Sequence, residues 1–449
     1  MGVSYIVTCC FYLILQFVTI NTRPGDHDRN PLRPCKYLND SLTCYGNLHD
    51  DISYPSTISE LKLSNLTIRT LDLNIIVQRF PNLKLLVVEN GEVSNVIPPE
   101  VDNVITELVL GNLKIKHIHR DFVQYFPFLK SLHLEKNFLS ELSSRFHTGT
   151  LDELYIKNNR WNCSRDLSWA IHLNKSRVCQ DLTNITCKDK LFSSKSVLLV
   201  AQYKKTMKES CTQGCDCSLE YIAPDPITNI QYPIIMVNCS RRGLTEFPNQ
   251  LPLNTRILHL EHNRISNIKS LKTDPSLKQL WDLYLDNNTI ESISYLEGSY
   301  WLSNFRVFSL KDNRLGKLPS YALDNALMKN PNMPKAVRLF LSGNPWKCDC
   351  VFTPVFQELV LQKYSFQIDD LRDVKCSYMR NDENSLKPII NLSRSSVCIV
   401  STDFSLQEGL DLLNAVLASL IIFILGKLAY DYYHFKKSGK LPWIVSRMP

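Results

Sequence analysis

Leu280-Trp281-Asp282-Leu283-Tyr284-Leu285-Asp286-Asn287-Asn288-Thr289-Ile290-Glu291-Ser292-Ile293 is the stretch that decides how this chain folds. Its apolar residues fall at Leu280, Leu283, Leu285, Ile290 and Ile293, with Asn288 between them. Leu283 and Leu285 alternate with Tyr284, so a short strand sends two leucines inward and one side chain out. The chain then has to turn, and an Asn amide can satisfy backbone groups that the turn leaves without a strand partner. One such unit buries almost nothing alone, so it must be stacked on others like it.

The same spacing recurs on both sides. Leu258, Leu260, Asn263, Ile265 and Ile268 precede the stretch. Phe305, Phe308, Leu310, Asn313, Leu315 and Leu318 follow it, then Ala336, Leu339, Leu341, Asn344 and Trp346. The Asn intervals are 25, 25 and 31, and the long one holds residues 319–334, read as an insertion on the convex side. Five earlier units begin with Ile58, Leu61, Leu63, Leu66 and Ile68. Their Asn-equivalent positions are Leu66, Gly91, Leu113, Asn137 and Asn159, spaced 25, 22, 24 and 22. Strands of a sandwich do not keep both this period and this internal spacing. The pattern is that of leucine-rich repeats. The expected fold is α/β: a leucine-rich repeat solenoid of two curved arrays with cysteine-rich caps, plus one transmembrane helix.

Composition agrees with a folded, exported chain. The 44% hydrophobic content excludes a disordered chain, and a net charge of +7 is mild for 449 residues. Fifteen cysteines point to an oxidising compartment and disulfides. Residues 3–20 are apolar and uncharged, as in a signal peptide, although the usual basic start is missing; an uncleaved anchor is the alternative. A second apolar run spans residues 410–430. Asp403, Glu408 and Asp411 lie before or at its start, and Lys427, Lys436, Lys437, Lys440 and Arg447 end or follow it. Roughly 20 residues cross a bilayer. The charge bias puts the C-terminus in the cytosol. The expected location is the plasma membrane, as a type I single-pass protein with its N-terminus outside; secretion is the alternative. Eight glycosylation sequons precede the run: Asn39, Asn65, Asn162, Asn174, Asn184, Asn238, Asn287 and Asn391. Asn162 and Asn238 adjoin cysteines, which disfavours their use.

The cysteines cluster where arrays begin and end, because an uncapped terminal repeat would leave its core in water. These clusters divide the chain. Residues 1–22 are the signal peptide, 23–50 an N-terminal cap, 51–162 array one and 163–188 its C-terminal cap. Residues 189–210 form a lysine-rich linker, with a short strand expected at residues 197–200. Residues 211–252 cap array two, which spans 253–346. Residues 347–399 form its C-terminal cap, 400–409 a stem, 410–430 the transmembrane helix and 431–449 a cytoplasmic tail. Cys35 and Cys44 are spaced for a small closed loop. In a cytosolic protein Cys211, Cys215 and Cys217 would suggest zinc; behind a signal peptide they suggest disulfides.

No catalytic motif is present: no H-E-x-x-H, no G-x-S-x-G, no phosphate-binding glycine loop, and no paired histidines at helical spacing. Neither an enzyme nor a cofactor or metal is expected, and nothing suggests nucleic acid. The fold offers its exposed strand positions. In array one these include Val109, His133 and Tyr155, with Glu135 and Lys157 beside them; in array two they include His259, Tyr284, Ser309 and Phe340, with Trp281, Arg306 and Arg338 nearby. His133, Tyr155, His259, Trp281, Tyr284 and Phe340 are the candidates for contacting a protein partner, since aromatics on a rigid surface make binding hot spots. The plain alternative is strand residues favoured by β-propensity. A glycan on Asn287 would crowd the array-two face.

Val237-Asn238-Cys239-Ser240-Arg241-Arg242-Gly243-Leu244 resembles the N-terminal flank of extracellular leucine-rich repeat proteins, and Asn344-Pro345-Trp346-Lys347-Cys348-Asp349-Cys350 resembles their C-terminal flank. That resemblance implies Cys211–Cys217, Cys215–Cys239, Cys348–Cys376 and Cys350–Cys398. A reduced C-terminal cap would pair Cys163 with Cys187 and leave Cys179 free or intermolecular. Two capped arrays resemble Toll-type receptor ectodomains, but no Toll/interleukin-receptor domain follows the membrane run. The whole layout, with Trp161-Asn162-Cys163 and the tail Lys440-Leu441-Pro442-Trp443-Ile444-Val445, resembles the insect leucine-rich repeat family of singed wings 2 and halfway. It implies a developmental role in the ecdysone-induced cascade, through indirect control of late ecdysone genes. A co-receptor acting through its short tail and a shed matrix protein are the competing readings.

Overall fold

The computed structural model describes residues 35–48, 54–398 and 406–439. The signal segment, most of the stem and residues 440–449 lie outside them. The chain divides into two compact units, Met1–Ala201 and Gln202–Pro449.

In the first unit, Cys35–Leu38 and Ser41–Tyr45 form an antiparallel hairpin, with Cys35 opposite Cys44. Five parallel strands follow: Glu60–Ser64, Leu85–Glu89, Glu107–Gly111, Ser131–His133 and Glu153–Tyr155. Their register aligns Leu61, Leu86, Leu108, Leu132 and Leu154 in one column, all of them fully buried. Alternation explains this, since every second side chain of each strand meets its counterpart in the next repeat. Burying each leucine contributes about 2 kcal/mol.

The turns are held by amides. Asn137 donates to the carbonyls of Leu110 (2.6 Å) and Leu134 (3.1 Å), while its Oδ1 accepts from Ile115 N. Asn159 repeats the arrangement with Leu134 and Ile156. Beyond the last strand, Asp181 supplies the acceptor that a further strand's carbonyls would: its Oδ2 accepts from Ile156 N (2.9 Å) and Lys157 N (2.6 Å). Where Leu66 stands in for Asn, the neighbouring Gly91 is required, because a Cβ there would lie 2.9 Å from Leu66 O. Ile68, expected inside, is exposed; Leu71 and Leu73 fill the core beyond Leu66 instead.

The array closes on Trp161, whose ring packs 4.8 Å from that of Trp169 in the helix Ser168–Ser176. Cys163 is bonded to Cys187. Cys179 is free but buried, its Sγ 3.3 Å from Asp181 Oδ1, and burial together with the Asp181 carboxylate raises its thiol pKa. An intermolecular bridge through Cys179 is therefore closed off by packing. The strand expected at residues 197–200 is instead the start of an α-helix, Val197–Ser210. Val197, Val200, Ala201 and Met207 are its buried positions, a helical spacing that two nearby valines disguised.

The second unit opens with a long hairpin, Asp216–Pro224 against Gln231–Asn238. Cys211 is bonded to Cys217 and Cys215 to Cys239. Four parallel strands follow: Thr255–His259, Asp282–Tyr284, Val307–Ser309 and Arg338–Phe340. Asn263, Asn288, Asn313 and Asn344 form the same ladder, each donating to a carbonyl in its own turn and one in the preceding repeat. Past the last strand, Asp370 does for array two what Asp181 does for array one, accepting from Leu341 N and Ser342 N. Ala336, expected inside, is half-buried, and the larger Val337 turns inward in its stead.

Residues 319–334 contain the helix Ser320–Lys329, with Ala322, Leu323, Ala326 and Leu327 buried. Asp324 binds Lys363 Nζ (2.6 Å) and Tyr364 Oη (2.6 Å), which tie this helix to the C-terminal cap. Cys348–Cys376 and Cys350–Cys398 close that cap around Trp346.

A helix spans Leu406–Ser438 and is long and apolar enough to cross a membrane. It runs past residue 430, where the tail was expected to begin. No breaker intervenes before Gly439, whose positive φ of 65° and bond to Phe435 O end it. Lys427 and Asp431 pair across the start of this extension at 2.6 Å.

Candidate functional site

The parallel register sets exposed side chains beside one another across neighbouring repeats. In array one, one column runs Glu60, Leu85, Glu107, Ser131, Glu153, and the next runs Lys62, Val87, Val109, His133, Tyr155. None of these side chains is buried. His133 and Tyr155 are stacked, with ring centroids 4.4 Å apart and planes 11° from parallel. His133 Nδ1 lies 3.2 Å from Glu135 Oε2, and Nε2 lies 3.1 Å from Ser131 Oγ. Tyr155 Oη donates to Glu153 Oε2 at 3.3 Å. Desolvation, with Glu153 and Glu135 nearby, raises the Tyr155 hydroxyl above its ordinary pKa.

Array two repeats this constellation. His259 and Tyr284 stack at 4.3 Å with planes 2° apart, and His259 Nδ1 lies 2.8 Å from Glu261 Oε1. Burial works to raise the Glu261 carboxyl, but the His259 and Ser240 hydrogen bonds outweigh it and leave it below the usual range. Asp286 goes the other way, because burial prevails over its bonds to Ser309 and Lys311 N. Ser309, expected to be exposed, is buried. It lies in the column between Tyr284 and Phe340, and its hydroxyl donates to Asp286. Phe340 is half-buried at the end of this column.

Trp281 is not in the stack. It stands one position ahead of the strand, with Arg256 5.3 Å and Arg306 5.7 Å from its ring centre. Arg306 also grips Asp282 with two donors, Nε at 2.8 Å and one terminal nitrogen. Of the residues singled out in the sequence, the structure therefore brings together His133 with Tyr155 and His259 with Tyr284. Trp281 joins an arginine sandwich beside them, and Phe340 stands apart from both stacks.

Of the carboxylates that complete the couples, Glu135 stands beside the exposed positions in the sequence reading, whereas Glu261 was not singled out. The signal was there: Leu132-His133-Leu134-Glu135-Lys136-Asn137 matches Leu258-His259-Leu260-Glu261-His262-Asn263. One repeat later, Leu154-Tyr155-Ile156-Lys157-Asn158-Asn159 matches Leu283-Tyr284-Leu285-Asp286-Asn287-Asn288. Among the sequons, Asn39, Asn65, Asn174, Asn184, Asn287 and Asn391 are exposed, while Asn162 and Asn238 are half-buried. Asn287 occupies the left-handed turn position next to the ladder, with φ 56°.

Comparison with known proteins identifies relatives. A family model described as the Halfway C-terminal domain matches residues 410–447. Protein singed wings 2 of Drosophila melanogaster is 39% identical over 338 residues, covering 74% of this chain and 66% of that protein. Protein halfway of Drosophila pseudoobscura pseudoobscura is 28% identical over 439 residues, covering 89% and 66%. The chain thus spans about two thirds of the length of these curated relatives. Among solved structures, one of the Toll–Spatzle complex aligns at 17% identity with a TM-score of 0.37, covering 76% of this chain and 46% of that one.

Proposed function

Proceeding from the kinship of this chain with the insect singed wings 2 and halfway proteins, we propose that it is a non-enzymatic, single-pass cell-surface protein whose repeats bind a protein partner. The single observation that carries this reading is the exposed strand face. The inward columns are buried, while the adjoining columns of array one, and His259, Tyr284, Phe340 and Arg338 in array two, keep aromatic and charged side chains at least partly accessible. Such a face is rigid, because its backbone is fixed by the ladder and the Asn amides, so binding orders little that is not already ordered. The two arrays are read as curved solenoids, closed at their ends by the six disulfides of the described residues. The helix Leu406–Ser438 supports a membrane anchor. Disulfides on its N-terminal side and lysines after its apolar part support an outward-facing ectodomain. The exposed sequons are proposed as glycan sites. The resemblance to the halfway family adds a developmental role in the ecdysone-induced cascade, acting indirectly on late ecdysone genes.

Epitope tags placed before Cys35 and after Pro449 test the topology in intact insect cells. Staining of the first tag alone is expected, and the second should stain only after permeabilisation. Removing residues 432–449 separates a binding protein from a co-receptor that signals through its tail. Retained developmental function is the outcome this proposal expects; its complete loss would favour the co-receptor. A conditioned-medium blot checks for shedding in the stem.

A further inference from the structure

Among the differences around the duplicated His–Tyr couple, one concerns an arginine. In array two, Asp282 occupies the column position two residues ahead of Tyr284, and Arg306 from the following repeat delivers a guanidinium to it. That guanidinium also lies over an aromatic ring, Trp281. Array two thus already contains the arginine that its carboxylate and aromatic surface suit. In array one Glu153 stands in the place of Asp282, two residues ahead of Tyr155 and opposite Ser131. The bridge between Leu154 and Cys179 puts Arg177 where Arg306 stands in array two. Arg177, however, ends the helix Ser168–Ser176 in a left-handed conformation, and among the described residues it makes no ion pair with Glu153. The Glu153 carboxylate is left to the Tyr155 hydroxyl.

We propose that the array-one strand face is the docking site for an arginine-bearing extended segment of a protein partner. Its guanidinium would lie against the His133–Tyr155 couple and pair with Glu153 and Glu135, supplying what Arg306 supplies within array two. This rests on the reading that the repeat faces bind a protein, and it names the chemistry of that protein. Charge agrees on balance: Glu60, Glu89, Glu107, Glu135 and Glu153 stand on the face against Lys62 and Lys157, and one position ahead of the strands Lys84 and Lys130 stand with Asp152, which pairs with Lys130 at 3.4 Å. The apolar strip Leu85, Val87 and Val109 between them is suited to the stems of long side chains. Arginine fits better than lysine, because a planar guanidinium can stack on a ring and grip a carboxylate with two donors at once.

The test uses the full chain in detergent micelles and three short fluorescent peptides, alternating arginine, lysine or glutamate with glycine. Anisotropy titration should show the arginine peptide binding at least about threefold more tightly than the lysine peptide, and the glutamate peptide not binding. Glu135→Gln combined with Glu153→Gln should weaken the arginine peptide about tenfold. Glu261→Gln in array two should leave it unchanged. Should the double variant fail to fold, Tyr155→Phe keeps the stack and should keep the arginine preference, whereas Tyr155→Ala should lose it. Arg177→Ala should leave affinity as it is; a tenfold gain would mean that Arg177 already fills the place. Equal binding of arginine and lysine peptides, binding of the glutamate peptide, equal loss in Glu261→Gln, or equal behaviour of the two Tyr155 variants overturns the proposal. If surface capture of a partner survives every array-one variant and fails in array-two variants, this inference falls while the binding reading stands. If no variant of either face alters capture, the binding reading itself falls.

Discussion

Replacing Asn288 by Ala removes four hydrogen bonds at once from the middle of array two, the longest of them from Nδ2 to Asp286 O at 3.3 Å. Its Nδ2 donates to Leu260 O at 2.9 Å and to Leu285 O at 3.0 Å, and its Oδ1 accepts from Ile265 N at 2.9 Å. The side chain is 6% exposed, so water does not reach these groups without opening the turn. A buried backbone group left unpaired costs about 1–3 kcal/mol. Only Ile265 N loses its sole partner, since Leu260 O keeps the Asn263 amide and Leu285 O the Asn313 amide, so the expected net loss is about 2–4 kcal/mol. For a unit of this size each kcal/mol lowers the melting temperature by about 2–4 °C, so the expected drop is on the order of 10 °C. Asn288→Asp should lose nearly as much, because a carboxylate still accepts from Ile265 N but sets a buried negative charge against the Leu260 and Leu285 carbonyl oxygens. The neighbouring Asn287 is the control. It is exposed, and its Ala variant suffers chiefly from the left-handed φ of 56°, about 1 kcal/mol. Urea unfolding followed by tryptophan fluorescence, with calorimetry beside it, measures both. Equal and small losses at positions 287 and 288 would refute the assignment of the amide ladder as the element that holds the repeats together.

Other outcomes follow from the same packing. Gly91→Ala should destabilise the first unit by about 1–3 kcal/mol in pulse proteolysis, since its Cβ would press on the Leu66 carbonyl from 2.9 Å. Burial acts to raise the Asp324 carboxyl, but Lys363 and Tyr364 together outweigh it and hold it below its ordinary value. Its contribution to stability is therefore complete above the unfolded pKa of about 3.9 and lost as pH falls below that through the folded value. Asp324→Asn should flatten this acid limb in melts between neutral pH and pH about 3. Cys179→Ser and the wild type should both migrate as monomers on non-reducing gels. The wild-type thiol should react with a maleimide only after unfolding, because it is buried and its pKa is raised.

Period and chemistry were legible in the sequence where they depend on local spacing. Leu283 and Leu285 on one side of Tyr284, with Asn288 three residues beyond Leu285, specify a strand, its inward face and its turn, and no distant contact is needed to see this. What depends on a neighbour was harder to read. Asp181 and Asp370 take the place of a further strand's carbonyls at the two array ends, yet they come from segments without repeat spacing, so only the fold brings them to the last strand. Ser309 occupies an outward position by alternation but is covered, since a short side chain between two long ones disappears beneath them. Residues 197–200 looked like a strand because valines fit either element; only the burial of Ala201 and Met207 as well reveals the helix. The stacked couples lay within reach. His133 and Tyr155 were both picked out as exposed, but their pairing depends on the one-repeat offset that sets Leu132 beside Leu154.

The central claim is that the exposed strand faces hold a protein partner, and proximity labelling on intact cells tests it most directly. A peroxidase fused before Cys35 would label neighbours of the wild-type chain, of a variant carrying His133→Ala, Tyr155→Ala, His259→Ala and Tyr284→Ala, and of a chain lacking residues 432–449. The account predicts one or more surface proteins labelled strongly by the wild type and by the tail deletion, and lost with the four-residue variant at equal surface level. An unchanged set of labelled proteins in that variant, or their loss with the tail alone, would contradict it.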